Sequence, residues 1–285
     1  MHASCIVKAM TNSRLAFIGG GNMASSLVGG LIADGWDPGR IHVADPDRQQ
    51  TDRLAQHFSV ITTQDNRSAV EQADAMILAV KPQAVKAVVS ELAGVIAAQQ
   101  PLLISIAAGI RETTLRGWLA EDTAIVRTMP NTPALVQSGA TALYANANVS
   151  TAQHNMAESI LRAVGLTLWV DDEDLMDAVT ALSGSGPAYF FLFMEALQSA
   201  GTELGLPAET ARLLTLQTAF GAAKMALESA EDAAVLRQRV TSPGGTTERA
   251  LDYFRQHGFE DIVQGALQAA AERSRELAAQ FGAEQ

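Results

Sequence analysis

An α/β domain built on a parallel sheet, followed by an all-α domain, is the architecture that this sequence predicts. Three observations point to it. Short apolar runs alternate with helix-like stretches up to about residue 170, the pattern of strands joined by helical crossovers. The first of those runs passes through a glycine-rich turn directly into a helix-like stretch. Beyond about residue 171 the strand-like runs stop, and alanine-rich helical stretches with short loops continue to the end. The expected division is an N-terminal tail over 1–13, an α/β domain over 14–170 and a helical domain over 171–285.

The first strand is Leu15-Ala16-Phe17-Ile18, and it runs into Gly19-Gly20-Gly21-Asn22-Met23-Ala24. This is G-x-G-x-x-A between a strand and a helix, the fingerprint of a Rossmann-type dinucleotide-binding domain. Gly19 allows the tight turn, Gly21 lets backbone approach a pyrophosphate, and the small Ala24 lets helix and strand pack closely. The second strand, 41–45, ends in Asp45, 24 residues after Gly21, near the spacing at which such folds hold an adenosine ribose. Further strands are expected at 60–62, 75–80, 102–106 and 124–127. The continuous apolar run at 75–80 suits a sheet covered on both faces. Ligands of such a sheet bind outside the carboxyl ends of its strands, so the informative ends are 79–83, 107–109 and 129–133. Lys81 in the first of these is either a ligand contact or a solvated loop lysine.

The acidic run at 171–174 reads as a solvated helix start at the domain boundary. Beyond it, 183–187 should cap a helix beginning near Pro187, with Ser and Pro in their favoured positions. Residues 188–194 are apolar all round, and a helical domain of 115 residues offers little to surround such a helix. A second subunit would supply the walls. Glu195 within this helix is either functional or an acid tied to neighbouring helix ends. More helices are expected over about 207–227, 232–240, 246–257 and 260–281.

The stretch 240–251 carries the chemistry of the second half. Pro243, Gly244 and Gly245 forbid helix, whereas Thr246, Thr247, Ala250 and Leu251 favour it, so a helix should start at about residue 246. Its first N–H groups have no helical partners, the glycines admit a ligand, and Ser242, Thr246 and Thr247 add hydroxyls. A small carboxylate fits such a pocket.

Composition limits the alternatives. The 285 residues are 48% hydrophobic and 18% charged, enough for a sizeable core. A formal charge of −11 without a Lys/Arg cluster argues against nucleic acid or an anionic membrane surface as a partner. No apolar run approaches the roughly 18 residues of a membrane span, and residues 1–14 lack a signal-peptide core, so the expected location is the cytoplasm. The single Cys5 excludes an internal disulfide, and its place in the tail argues against a catalytic thiolate. Five scattered histidines without HExxH or CxxC spacing give no expected metal site.

Taken with the glycine-rich start and the strand ends, the stretches 181–189 and 240–251 make the sequence resemble the pyrroline-5-carboxylate reductase family over about residues 14–280. The run Val240-Thr241-Ser242-Pro243-Gly244-Gly245-Thr246-Thr247, with Ala250-Leu251, is the most specific part. The resemblance implies reduction of L-1-pyrroline-5-carboxylate to L-proline, the last step of proline biosynthesis, with NADPH or NADH. It implies that Asn66, Val80, Lys81, Pro82 and Ala108 line the nucleotide beside Gly19 to Ala24, and that the Thr247 hydroxyl faces the ring nitrogen. It also implies a homodimer through the helical dimerisation domain, with dimers associating further into decamers and each site shared between one subunit's nucleotide domain and its partner's helices. Asp45 favours a ribose 2′-OH, whereas Arg48 could accommodate a 2′-phosphate, and the resemblance leans to NADPH.

The residues agree with that chemistry. A protonated imine is already electrophilic, so no strong acid or metal must polarise it. A β-hydroxyacid-type dehydrogenase needs a Lys or His to manage the alcohol proton, and 171–220 contain neither. A non-catalytic NAD(P)-sensing protein remains open, because a fold does not fix a function, but it has no use for the 242–247 pocket.

Overall fold

The computed structural model describes residues 12–283. Apart from Asn12 and Ser13, the expected 1–13 tail, Cys5 included, lies outside the described residues. Its contacts divide the chain into two compact units, one reaching Gly184 and including 270–285, the other spanning Ser185–Ala269.

In the first unit, strands and helices alternate as β1 (Leu15–Ile18), α1 (Asn22–Ala33), β2 (Ile41–Ala44), α2 (Arg48–Phe58), β3 (Ile61–Thr63), α3 (Asn66–Val70), β4 (Ala75–Leu78), α4 (Pro82–Gln99) and β5 (Leu102–Ser105). Then come α5 (Glu112–Gly117), β6 (Ile125–Met129), β7 (Gly139–Ala145), α6 (Thr151–Arg162), β8 (Gly165–Trp169) and α7 (Leu175–Val179). The eight strands form one sheet in the order β3-β2-β1-β4-β5-β6-β7-β8. The first six follow the order of doubly wound dinucleotide folds, with the reversal between β1 and β4.

Both faces are covered, and the strand period of two decides which residue goes where. Leu15, Phe17, Ile77 and Ile104 pack with Leu27, Leu31 and Ile160 on one face. Ala16, Ile18, Met76 and Leu78 pack with Val85, Val89 and Leu92 on the other.

The sheet is parallel from β3 to β6, as the sequence predicts, and β7 then pairs antiparallel to β6. A 3₁₀ turn at Thr132–Val136 sends the chain back beside β6 without a helical crossover. β7 is built largely of small residues and β8 interrupts its apolar residues with Gly165 and Thr167, so neither gives a continuous apolar run in the sequence.

The acidic run is not a solvated helix start. Glu173 Oε1 accepts from Arg127 Nη1 at 2.8 Å and from the Glu112 N–H at 2.6 Å, while Asp174 pairs with Arg111. Arg127 points from β6 into the interior, where a guanidinium requires a carboxylate, and Glu173 supplies it.

The second unit holds α8 (Gly186–Glu203), α9 (Ala208–Glu228), α10 (Ala233–Arg239), α11 (Thr246–Gln256) and the start of α12 (Phe259–Ala283). The helix starts where 183–187 were expected to cap it, with Ser185 as N-cap and Pro187 in its first turn, but the Ser185 side chain makes no capping hydrogen bond, and Thr180–Gly184 form a π-type turn continuing from α7. Ser183 donates back to the Val179 carbonyl instead of capping, and Pro187, which has no N–H to give, sits in the first turn of α8, where no helical bond needs one.

Little of this unit is buried within the chain. Phe190, Phe191 and Leu192 of α8 are 67%, 63% and 68% exposed, and among apolar side chains of 185–269 only Ala211 is buried. Glu195 is exposed and has no ionic partner among the described residues, so it is not tied to neighbouring helix ends. No helix among the described residues is long and apolar enough to cross a membrane.

Candidate functional site

Two groups of sequence-predicted residues gather at two places, one in each unit. The first lies at the carboxyl ends of β1 to β5. Gly19 leaves β1 with φ +99°, and a Cβ there would lie 2.6 Å from the Ala79 carbonyl oxygen. Only glycine lets β1 and β4 approach so closely. Gly20 is held from both sides: its N–H donates to Asp45 Oδ2 at 2.7 Å, and its carbonyl accepts from Gln50 Nε2. Gly21 precedes α1 without any side-chain cap, and a Cβ on it would meet no protein atom within 4 Å. The space before the α1 N-terminus is therefore bounded by glycine backbone and by the N–H groups of Asn22 and Met23. Ala24 is buried against the core and fixes the helix to the sheet.

Asp45, expected at the ribose, spends both oxygens on backbone, since Oδ1 accepts from the Asp47 N–H at 2.9 Å. Its carboxylate shapes the loop, and Gln50 is a residue that the sequence reading missed. Arg48 stands exposed in the first turn of α2, 3.8 Å from Asp52. Asn66 opens α3 and donates to Glu91 at 3.2 Å. Val80, Lys81 and Pro82 form the entry to α4, with Lys81 exposed and uncapping. Ala108 is exposed after β5, beside the buried Ala107 and Gly109. All lie where the strand order reverses or next to it, the place where doubly wound sheets bind nucleotides.

The second place is the start of α11. The Gly245 N–H donates to the Ser242 carbonyl at 3.0 Å, with Pro243 second and Gly244 third at φ +74°, which is a type II turn. The turn delivers the chain into a helix at Thr246, where the sequence expected one. Glu248 reaches back to accept the Gly244 N–H at 2.7 Å. An acid in the third helical position is the signal that could have revealed this contact. Gly244 and Gly245 thus spend their N–H groups on the turn. Those of Thr246 and Thr247 take no acceptor among the described residues and, with the exposed Ser242, Thr246 and Thr247 hydroxyls, remain to meet a ligand.

What these arrangements can bind is a phosphate group in the first unit and a small carboxylate in the second. Comparison with known proteins decides the rest. Over 273 residues, 96% of this chain and 100% of the relative, the sequence is 54% identical to pyrroline-5-carboxylate reductase of Pseudomonas aeruginosa. The chain belongs to the pyrroline-5-carboxylate reductase family. The relative from Pasteurella multocida is 44% identical over 94% of this chain and 98% of its own. The family model for pyrroline-5-carboxylate reductase dimerisation matches residues 173–277. The model described as NADP oxidoreductase, coenzyme F420-dependent, matches 14–109, which is the nucleotide half alone.

Among solved structures, a pyrroline-5-carboxylate reductase from Coxiella burnetii matches with TM-score 0.91 and 50% identity, covering 93% of this chain and 98% of that one. The Plasmodium falciparum pyrroline carboxylate reductase, solved with NADP bound, matches with TM-score 0.83 and 30% identity over 94% and 98%. As a pyrroline-5-carboxylate reductase the chain is an NAD(P)H-dependent oxidoreductase that acts on a C=N bond in proline biosynthesis. Its helical half is a dimerisation domain.

Proposed function

We propose that this chain takes NADPH at the β1/β4 edge and holds L-1-pyrroline-5-carboxylate by its carboxylate at the start of α11. The observation that carries the substrate reading is the type II turn at 242–245, which opens a helix whose Thr246 and Thr247 N–H groups are unspent. At the cofactor end, the open space before Gly21 fits a pyrophosphate that a side chain would obstruct. NADPH, when bound, supplies the hydride.

The protein's own contributions are binding and orientation. Gly20 is fixed by Asp45 and Gln50, so the loop is shaped before ligand arrives, and Asn22 and Met23 offer donors to the pyrophosphate. Asn66, Val80, Lys81, Pro82 and Ala108 line the rest of the nucleotide. Because Asp45 is engaged by backbone, the exposed Arg48 is the group placed to meet a 2′-phosphate, and NADPH is the preferred cofactor over NADH. Ser242, Thr246 and Thr247 bind the substrate carboxylate, while Gly244 and Gly245 build the turn. The Thr247 hydroxyl holds the ring nitrogen and orients the imine, which needs no stronger acid because it is electrophilic once protonated.

The homodimer is the unit of function, and dimers associate further, up to a decamer, in the cytoplasm. Each site joins one subunit's nucleotide domain to its partner's α11. The bareness of 185–269 supports this reading, since such helices need a second chain to bury them. Loss of NADPH absorbance on adding L-1-pyrroline-5-carboxylate tests the activity. A higher kcat/KM with NADPH than with NADH is expected, and the reverse order would overturn the role given to Arg48.

A further inference from the structure

The turn that follows β5 has little backbone bonding of its own. Ile106 enters it by donating to the Leu78 carbonyl at 3.2 Å, and Glu112 leaves it with its N–H on Glu173 Oε1. Between them the N–H groups of Ala108, Gly109 and Ile110 take no acceptor among the described residues. Gly109 stands at φ +77°, a conformation that glycine adopts readily and leaves as readily. Packing must therefore hold this turn. Ala107 and Ile110 contribute by burial in the core that α4 covers, but Gly109 has no side chain with which to do the same.

The last turns of α12 fill that place. A Cβ on Gly109 would lie 3.3 Å from Phe281 Cε2, 3.4 Å from its Cδ2 and 3.7 Å from Leu277 Cβ, so the Phe281 ring closes over the glycine. Residues 270–285 belong to the same compact unit as the turn. Their buried face runs through Ala271, Ser274 and Ala278, and Phe281 continues it at helical spacing. The rotation of the helix is pinned by the Ser274 hydroxyl, which donates to Asp177 Oδ1 at 2.6 Å, both residues being buried. Phe281 lies beyond residues 173–277, the segment that matches the dimerisation family model. On the other side of the contact, Ala108 next to Gly109 is exposed.

We infer that Phe281 is a positioning residue for the cofactor: by seating Gly109 it holds the neighbouring Ala108 where the nucleotide passes. The inference rests on the cofactor site proposed above, in which Ala108 lines the nucleotide. Phe281 acts through Gly109, so its effect belongs to cofactor binding and not to the handling of the imine.

Phe281→Ala removes the ring, and if the turn then keeps its binding geometry in about one molecule in ten, the Kd for NADPH rises about 10-fold. Phe281→Leu retains part of the apolar bulk and should fall between, at about 2- to 3-fold. Fluorescence titration reads both values. In steady-state kinetics the KM for NADPH should rise in step, while kcat at saturating NADPH and the KM for L-1-pyrroline-5-carboxylate stay within about 2-fold of wild type. A wild-type Kd in a folded Phe281→Ala would overturn the inference, as would a fall in kcat with both KM values raised alike, the mark of a generally loosened fold. Circular dichroism reports folding, and if Phe281→Ala does not fold, Phe281→Leu decides, with a wild-type Kd overturning the inference. Gly21→Val that still bound NADPH would overturn the cofactor site and the inference together.

Discussion

Gly19 and Gly21 must be glycine for different reasons, and the difference can be measured. A Cβ at Gly19 would strike the Ala79 carbonyl and sit at φ +99°, so Gly19→Ala should lower stability by about 2 kcal/mol or more in chemical denaturation. A Cβ at Gly21 meets nothing of the protein, so Gly21→Val should fold normally yet lose NADPH binding in a fluorescence titration. At the other place, Thr247→Ala should lose about 10- to 1000-fold in kcat/KM, the range of one positioning or donor group. Ser242→Ala should chiefly raise KM, because a carboxylate contact exists in ground and transition states alike. Steady-state kinetics at saturating NADPH check both, and an unchanged kcat/KM in Thr247→Ala would move the pocket elsewhere. The two turns that carry these residues were legible in the sequence because glycine and proline act locally, through φ and a missing N–H. The contacts of Gln50 and Glu248 were not, since each polar side chain had several backbone partners in reach and only folding selects one.

Elements show the same contrast. The strands β1, β2, β4 and β5 were readable because burial on both faces makes them continuous apolar runs. β7 and β8 were not, being built from small residues and alternating with threonine at the edge of the sheet. The acidic run at 171–174 looked solvated because its partner, Arg127, lies 46 residues away from Glu173. Removing that partner has a definite cost: Glu173→Ala strands a buried guanidinium and should destabilise the fold by about 3–5 kcal/mol, whereas Arg127→Met/Glu173→Leu should recover most of it. Urea denaturation of the two variants distinguishes a buried pair from a surface one, for which both changes would be small. On β2, burial and then the charge of Arg14 hold the His42 pKa below its ordinary 6.5. Below pH 6.5 the unfolded chain therefore binds a proton before the folded one, and stability falls as pH falls towards the folded pKa. His42→Gln should flatten that part of a stability–pH profile.

At the scale of the whole molecule, the proposed nucleotide edge and carboxylate pocket lie in units of very different self-sufficiency. The first unit has a two-sided core, while 185–269 leave nearly all of their apolar side chains exposed. The sequence announced this through the apolar run at 188–194, but the second chain that must cover it is not written in any one helix. Dimerisation should accordingly be obligate, and Phe191→Asp should give a chain that is monomeric and inactive in sedimentation and kinetics together. The central claim, that the nucleotide edge of one subunit works with the α11 pocket of its partner, is tested by mixing two variants, each impaired in one half of the site. Gly21→Val and Thr247→Ala, refolded together in equal amounts, should recover about a quarter of the wild-type rate, because half the dimers are mixed and one of their two sites is intact. No recovery, with mixed dimers demonstrably formed, would place both halves of the site in the same chain and contradict the account.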